Sequence, residues 1–152
     1  MRLAVRKATA GDATALAGLR LAALAEGSDH PSPDGPGFTT LFAAWSRRSS
    51  MTHLPFVAEV DDDVVGMAWL AVVERVPSPE RRRRHSGDVQ SVYVLPQLRD
   101  RGIGGALLEA VLAEAGRLRL EHVTVHSSDR AVPLYQRGGF QPDPCWLRWK
   151  SE

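Results

Sequence analysis

The feature that most constrains the fold is a strand–helix–strand unit in the second half of the chain. The segment "DVQSVYVL", residues 88–95, is rich in β-branched residues and ends at Pro96. An apolar-periodic segment follows from about Gly102 to Leu118, and "HVTVH", residues 122–126, predicts a second strand. Because a whole helix separates the two strands, we expect them to be parallel with a right-handed crossover.

The rest of the chain predicts short helices and hairpins around this unit. In order, we expect a strand near Leu3 and Val5, a helix ending near Gly27, a loop over residues 28–37, a helix over residues 38–48, and a hairpin of strands 54–60 and 64–76. A loop over residues 77–87, a short helix over residues 128–137 and a last hairpin with an edge strand at residues 145–149 complete the pattern. Short connections make hairpin strands antiparallel, so we predict an α/β fold: a mixed, mostly antiparallel sheet with helices on both faces.

Length and composition predict one domain over residues 1–152. The net charge of +1 gives no field that would attract nucleic acid or an anionic membrane, and no apolar run approaches the ~20 residues of a membrane span. Cys145 is the single cysteine, and the segment from Met1 to Lys7 lacks the apolar core of a signal peptide. We therefore expect a cytoplasmic protein with no metal site, no nucleic-acid partner and no membrane contact.

The segment "LRDRGIGGALLEAVL", residues 98–112, places two arginines and three glycines at the predicted start of the crossover helix. A helix start offers unpaired N–H groups and a positive dipole end, which suit a phosphate group. Glycines let an anion approach the backbone, although close packing of the helix on the sheet would also explain them. The segment lacks the Gly-Lys-Ser/Thr of a P-loop, and Leu107 stands where a dinucleotide fingerprint has a small residue.

Two segments in the right order resemble the GNAT superfamily of N-acetyltransferases. In "QSVYVLPQLRDRGIGGALLEAV", residues 90–111, the family signature Arg/Gln-x-x-Gly-x-Gly/Ala is met by Arg99, Gly102 and Gly104. In "SSDRAVPLYQRGGF", residues 127–140, the family pattern Asn-x-x-Ala-x-x-Leu/Phe-Tyr-x-x-x-Gly-Phe is met except at the first position, where Ser128 replaces the usual Asn. The resemblance is dense over residues 88–140 and concerns only the order of elements before them.

The resemblance implies a GNAT-like fold and acetyl-CoA as the cosubstrate. It places the pyrophosphate on the backbone amides of residues 100–105 and the pantetheine arm along residues 92–94. The implied cofactor-binding residues are Val92, Tyr93, Val94, Arg99, Asp100, Arg101, Gly102, Ile103, Gly104, Gly105, Ser128 and Tyr135.

The implied reaction is direct transfer of the acetyl group to a primary amine. A backbone N–H near Val94 would stabilise the oxyanion, and Tyr135 would protonate the leaving thiolate. Tyr135 could instead be a core aromatic residue. For the general base we favour Asp88 and then Glu59, with water alone as another possibility.

The acceptor is open from the sequence, and we expect a small molecule and a possible homodimer. The main alternative is a non-catalytic acyl-CoA-binding sensor or interaction domain on the same fold. Transfer to a hydroxyl, use of longer acyl chains, and a nucleotide-binding regulator are further alternatives. The run Arg81–Arg84 predicts a solvated loop that could border the acceptor site.

Overall fold

The computed structural model describes residues 1–28 and 35–152. In this part of the chain one sheet contains the strands β1 (Leu3–Lys7), β2 (His53–Val60), β3 (Asp63–Arg75), β4 (Arg84–Val94) and β5 (Val123–Val125), in that spatial order. The helices are α1 (Ala13–Glu26), α2 (Gly35–Arg48), α3 (Ile103–Arg117) and α4 (Val132–Arg137). Neighbouring strands from β1 to β4 are antiparallel, and β4 and β5 are parallel. The predicted mixed α/β fold is confirmed.

Each face of the sheet carries its own apolar cluster because successive strand residues point to opposite faces. In β3, Ala68 and Leu70 pack with Leu107 and Val111 of α3. Met67 and Trp69 of the same strand pack on the other face with residues of α1 and α2. Helices therefore cover both faces, as the sequence predicts. No helix of the described residues is long and apolar enough to cross a membrane.

An irregularity in β4 shapes the part of the sheet that matters for function. The register between β3 and β4 shifts between Met67 and Trp69, so that Ser91 and Val92 together oppose Ala68. Ser91 has a φ of 53°, a left-handed conformation that is uncommon for a residue other than glycine. Such a bulge bends the strand and increases its twist. It lies directly before the end of β4, which β5 does not pair with.

The predicted last hairpin is wrong within the described residues. Residues 141–152 contain no strand and are exposed, including the alternating segment 145–149. Trp146 instead stacks against His122 at 4.7 Å between ring centroids, and Arg148 contacts His126 at 2.9 Å. The alternation predicted a strand, but this segment contacts the residues that flank the edge strand β5 only through side chains.

The loop predictions are partly corrected. Residues 29–34 of the predicted loop 28–37 lie outside the described residues, and α2 begins at Gly35 rather than at Phe38. The loop 77–87 is shorter than predicted, because β4 begins at Arg84 and pairs there with Arg75. Within this loop region Arg81 and Arg84 form ion pairs with Glu121, at 3.1 and 2.7 Å. These two arginines therefore fasten the loop to the segment before β5.

Candidate active site

The centre of the site is an open edge of β4. β5 pairs with β4 only from Gly87 to Val89, where β5 itself ends, so β5 leaves the edge of β4 from Gln90 to Val94 unpaired. The N–H of Leu95 donates to the carbonyl oxygen of Val65 in β3 at 3.0 Å. Because alternate residues of a strand direct their N–H and C=O groups to opposite sides, the backbone groups of Val94 point away from β3. They point toward the space that β5 leaves open.

The loop after β4 turns into α3 with a backbone suited to an anion. Asp100 and Gly102 have φ values of 61° and 81°, and α3 begins directly after them. Among the described residues, no side chain caps the first N–H groups of α3. These groups therefore remain available to a ligand, and the helix dipole adds to the positive potential there.

The glycines at the start of α3 have different surroundings. A Cβ atom on Gly102 or Gly105 would meet no other atom within 4 Å, so these positions face open space. A Cβ atom on Gly104 would lie 3.6 Å from Leu134 Cδ2, so Gly104 faces α4. Gly102 and Gly105 also line a cavity of about 600 Å³ between α3 and α4, which Arg137 borders. A Cβ atom at Gly104 would make only ordinary van der Waals contact, so close packing on the sheet does not require glycine there, and phosphate approach stays a prediction.

The two arginines of the loop have different surroundings. The Arg99 guanidinium is held by Glu26 at 2.6 and 2.8 Å, by the carbonyl of Val94 at 3.0 Å, and over the ring of Tyr93 at 5.3 Å. Arg101 is exposed and forms no ion pair within the described residues. The positive charge left free at the start of α3 therefore comes from Arg101.

Tyr135 lies in α4 and is buried with the apolar cluster that includes Val94. Its ring meets Phe140 edge-on, with 5.6 Å between centroids. Burial raises the pKa of the Tyr135 hydroxyl, so this group keeps its proton at neutral pH. A protonated hydroxyl can serve as an acid.

Asp88 lies in β4 on the sheet face that carries α1 and α2. It is in register with Ala71 of β3 and Thr124 of β5. Its two carboxylate oxygens accept hydrogen bonds from neutral groups, Thr124 Oγ1 at 2.8 Å and Gln90 Nε2 at 3.1 Å. Asp88 thus forms no ion pair with the described residues.

Glu59 lies in a different environment from Asp88. Its carboxylate accepts from Arg6 at 2.6 and 3.0 Å, and the same guanidinium holds the buried Asp12. Six residues of β2 separate Glu59 from His53, which shares a row of the sheet with Ala71 and Asp88. At about 3.4 Å per strand residue the two acids are separated by about 20 Å along the sheet. The structure does not bring them together.

The remaining predicted residue, Ser128, precedes the short turn that leads into α4. It is exposed, and its carbonyl accepts from the N–H of Ala131 at 3.0 Å. Apart from Tyr135, the other predicted cofactor residues lie at the end of β4, in the loop after it and at the start of α3.

Sequence reasoning missed Glu26, which contacts two of the predicted residues. Hydrogen bonds from Arg99 and then from Tyr93 lower the pKa of Glu26 to about 2, so the carboxylate is ionised at neutral pH. The signal was present in the sequence, because Glu26 is an acid in the last turn of a helix, where the dipole disfavours negative charge.

The fold and site define a class of proteins with an open β4 edge that leads into an uncapped helix start. The family model of the Acetyltransferase (GNAT) family matches residues 21–140. The chain therefore belongs to the GNAT acetyltransferase family, whose members use acetyl-CoA for acetyl transfer.

Solved structures from several organisms share this fold. A predicted acetyltransferase from Clostridium acetobutylicum, crystallised with acetyl-CoA, has 21% identity and a TM-score of 0.77, over 98% of this chain and 96% of that chain. A GCN5-related N-acetyltransferase from Ralstonia eutropha JMP134 has 23% identity and a TM-score of 0.74, over 98% and 99% of the two chains. The glucosamine-6-phosphate N-acetyltransferase of Arabidopsis thaliana has 15% identity and a TM-score of 0.74 over the full length of both. No curated protein matches the sequence.

Proposed function

We propose that this protein is an acetyl-CoA-dependent N-acetyltransferase that transfers the acetyl group directly to the primary amine of a small molecule. The observation that carries the proposal is the open edge of β4, which continues into the uncapped start of α3. A strand edge suits the amides of the pantetheine arm, and a helix start suits a pyrophosphate.

Different residues would bind different parts of acetyl-CoA. The backbone amides of residues 100–105 would hold the pyrophosphate, with Arg101 supplying charge. Val92 and Val94, which alternate toward the open side, would pair with the pantetheine arm. Since Arg99 occupies the carbonyl of Val94, the N–H of Val94 is the group left for the ligand. The cavity between α3 and α4 has room for the nucleotide end of CoA.

The proposed chemistry is an addition and elimination at the thioester carbon. The amine first loses a proton to Asp88 through a chain of water molecules, since six residues of β4 separate Asp88 from Val94, and its nitrogen lone pair attacks the carbonyl carbon. The resulting oxyanion accepts a hydrogen bond from the N–H of Val94. The C–S bond then breaks, and Tyr135 protonates the thiolate as the amide forms. Tyr135 keeps its proton at neutral pH and so has one to donate, whereas burial, which raises its pKa, makes it a weaker acid.

A non-catalytic acyl-CoA sensor is the second candidate. One solved structure with the same fold, a transcriptional regulator from Bacillus halodurans C-125, has a TM-score of 0.76 at 17% identity. A sensor needs the cofactor edge and loop but has no use for an acid or a base.

The test is a calorimetric titration with acetyl-CoA and with CoA, followed by a thiol-release assay over a panel of small amines. We expect binding of both compounds and CoA release that depends on the amine. Binding without release from any amine would favour the sensor, and absence of binding would reject both functions.

A further inference from the structure

Glu26 occupies a position that its own helix does not favour. It is the last residue of α1, where unpaired carbonyl groups and the helix dipole disfavour an acid, and the last turn of α1 contains no basic residue. The positive charge that stabilises the Glu26 carboxylate comes from outside the helix. Arg99, 73 residues further along the chain, holds both carboxylate oxygens at 2.6 and 2.8 Å.

This ion pair reaches the backbone of the site through Arg99. While its two terminal nitrogens bind Glu26, Arg99 Nε donates to the carbonyl of Val94 at 3.0 Å. The neighbouring N–H of Leu95 donates to Val65 at 3.0 Å. The peptide unit between Val94 and Leu95 is thus fixed at both ends, once by β3 and once by Arg99. Its orientation sets the direction of the end of β4.

The same geometry separates the functions of the two arginines. The carboxylate of Glu26 neutralises Arg99 and directs it toward β4, whereas Arg101 is exposed two residues further on. A planar guanidinium can bridge a carboxylate and a carbonyl at the same time, and an ammonium group lacks this fork. The shape of Arg99 is therefore as important as its charge.

We propose that Glu26 is a positioning residue for acetyl transfer. It acts through Arg99, which fixes the carbonyl of Val94 and thereby orients the N–H of Val94 toward the thioester. The inference rests on the proposed function. It assigns Arg99 to the alignment of β4 and leaves the neutralisation of the pyrophosphate to Arg101 and the start of α3.

The experiment compares Glu26→Gln, Arg99→Lys and Arg101→Gln with the wild-type chain. For each, the Kd of acetyl-CoA is measured by calorimetry at low and high salt, and kcat is measured with the best amine of the panel. We expect Glu26→Gln and Arg99→Lys to lower kcat by about tenfold and to change Kd by less than about threefold, because misalignment affects the reacting geometry. Arg101→Gln should weaken binding and reduce its salt dependence, with little change in kcat.

Three results would overturn the proposal. Tighter binding in Glu26→Gln with unchanged kcat would mean that Glu26 only withholds Arg99 from the cofactor. Wild-type behaviour of Arg99→Lys would mean that the charge of Arg99 suffices. Unchanged kcat and Kd in Glu26→Gln would reduce the pair to a surface contact. A wild-type protein that neither binds acetyl-CoA nor releases CoA would instead reject the proposed function, and this inference with it.

A structural loss would look different from a loss of positioning. The Glu26–Arg99 pair is partly exposed, so its loss should lower the melting temperature by only a few degrees, and Arg101→Gln should leave it unchanged. A merely structural role would not lower kcat while leaving the Kd of acetyl-CoA nearly unchanged.

Discussion

At the scale of single residues, the hydroxyl of Tyr135 carries the sharpest prediction. Tyr135→Phe removes one oxygen and leaves the ring against Phe140. We expect kcat to fall by about 10- to 100-fold, the low end of general acid catalysis, because a thiol with a pKa of about 8.5 is already a good leaving group. The measurement is steady-state kinetics with the best amine.

The control measurement for this variant is its affinity for acetyl-CoA. The Kd of acetyl-CoA should remain within about threefold of the wild-type value, since the loss belongs to the transition state. An equal loss of binding and turnover, or unchanged turnover, would show that Tyr135 is only a core aromatic residue.

The two candidate bases form a second, matched test. Asp88→Asn should raise the KM of the amine and lower kcat by about tenfold, because it removes a carboxylate that only neutral groups contact. Glu59→Gln should leave kinetics unchanged and cost about 1 kcal/mol of stability, because it weakens the pair with Arg6. Urea unfolding and kinetics on both variants check this. The reverse pattern would make Glu59 the base.

Residues that a local motif contains were predictable, and their distant partners were not. The spacing of Arg99, Gly102 and Gly104 indicated the anion-binding loop from the sequence. The pairing of Arg99 with Glu26 depends on how α1 packs beside the end of β4, and no local pattern encodes a contact over 73 residues. The sequence therefore suggested both arginines as phosphate ligands, whereas the structure gives them different neighbours.

At the scale of elements, the start of α3 carries the third prediction. Gly105→Glu should weaken acetyl-CoA binding by more than about tenfold, because it adds bulk and negative charge at the proposed pyrophosphate site. The helix itself should tolerate the change, since a Cβ there meets no atom within 4 Å and an acid suits a helix start. Gly104 is less suitable for this test because it faces Leu134.

Gly116→Glu provides the control in the same helix. Gly116 is also open to added atoms but lies near the end of α3, far from the loop. Calorimetry should give wild-type affinity for it. Equal binding by the two variants would remove the pyrophosphate from the start of α3.

Helices and strands were predictable where the local sequence marks their boundaries. The unit of β4, α3 and β5 was predicted to within a few residues, because periodicity, Pro96 and the glycines mark its boundaries. The first residues of β4, Arg84 to Gly87, have no strand pattern and are extended because β3 continues beside them. Residues 145–149 show the opposite case, a strand pattern that forms no strand.

At the scale of the whole molecule, charged side chains of β1 connect the sheet to helices on both faces. Arg6 joins Asp12, before α1, to Glu59 in β2. Lys7, the next residue, reaches the buried Glu114 of α3 at 2.8 Å. Hydrogen bonds from Arg6 and from Arg117 lower the pKa values of Asp12 and Glu114, respectively, to about 2. Both carboxylates thus make the stability of the fold depend on pH.

The pKa of Glu114 fixes the direction of the last prediction. Because it is lower in the folded chain, about 2 against 4.5, its contribution is complete above pH 4.5 and is lost as the pH falls toward 2. Glu114→Gln should therefore reduce the free energy of unfolding by about 1–2 kcal/mol at pH 7, a value discounted because Lys7 and Arg117 are exposed. The difference from the wild type should shrink below pH 4.5 and vanish near pH 2.

Urea unfolding at pH 7, 4 and 2.5 measures this, with Glu109→Gln on the exposed side of α3 as the control. A difference that stayed constant with pH would mean that the carboxylate stabilises the fold by packing rather than by charge.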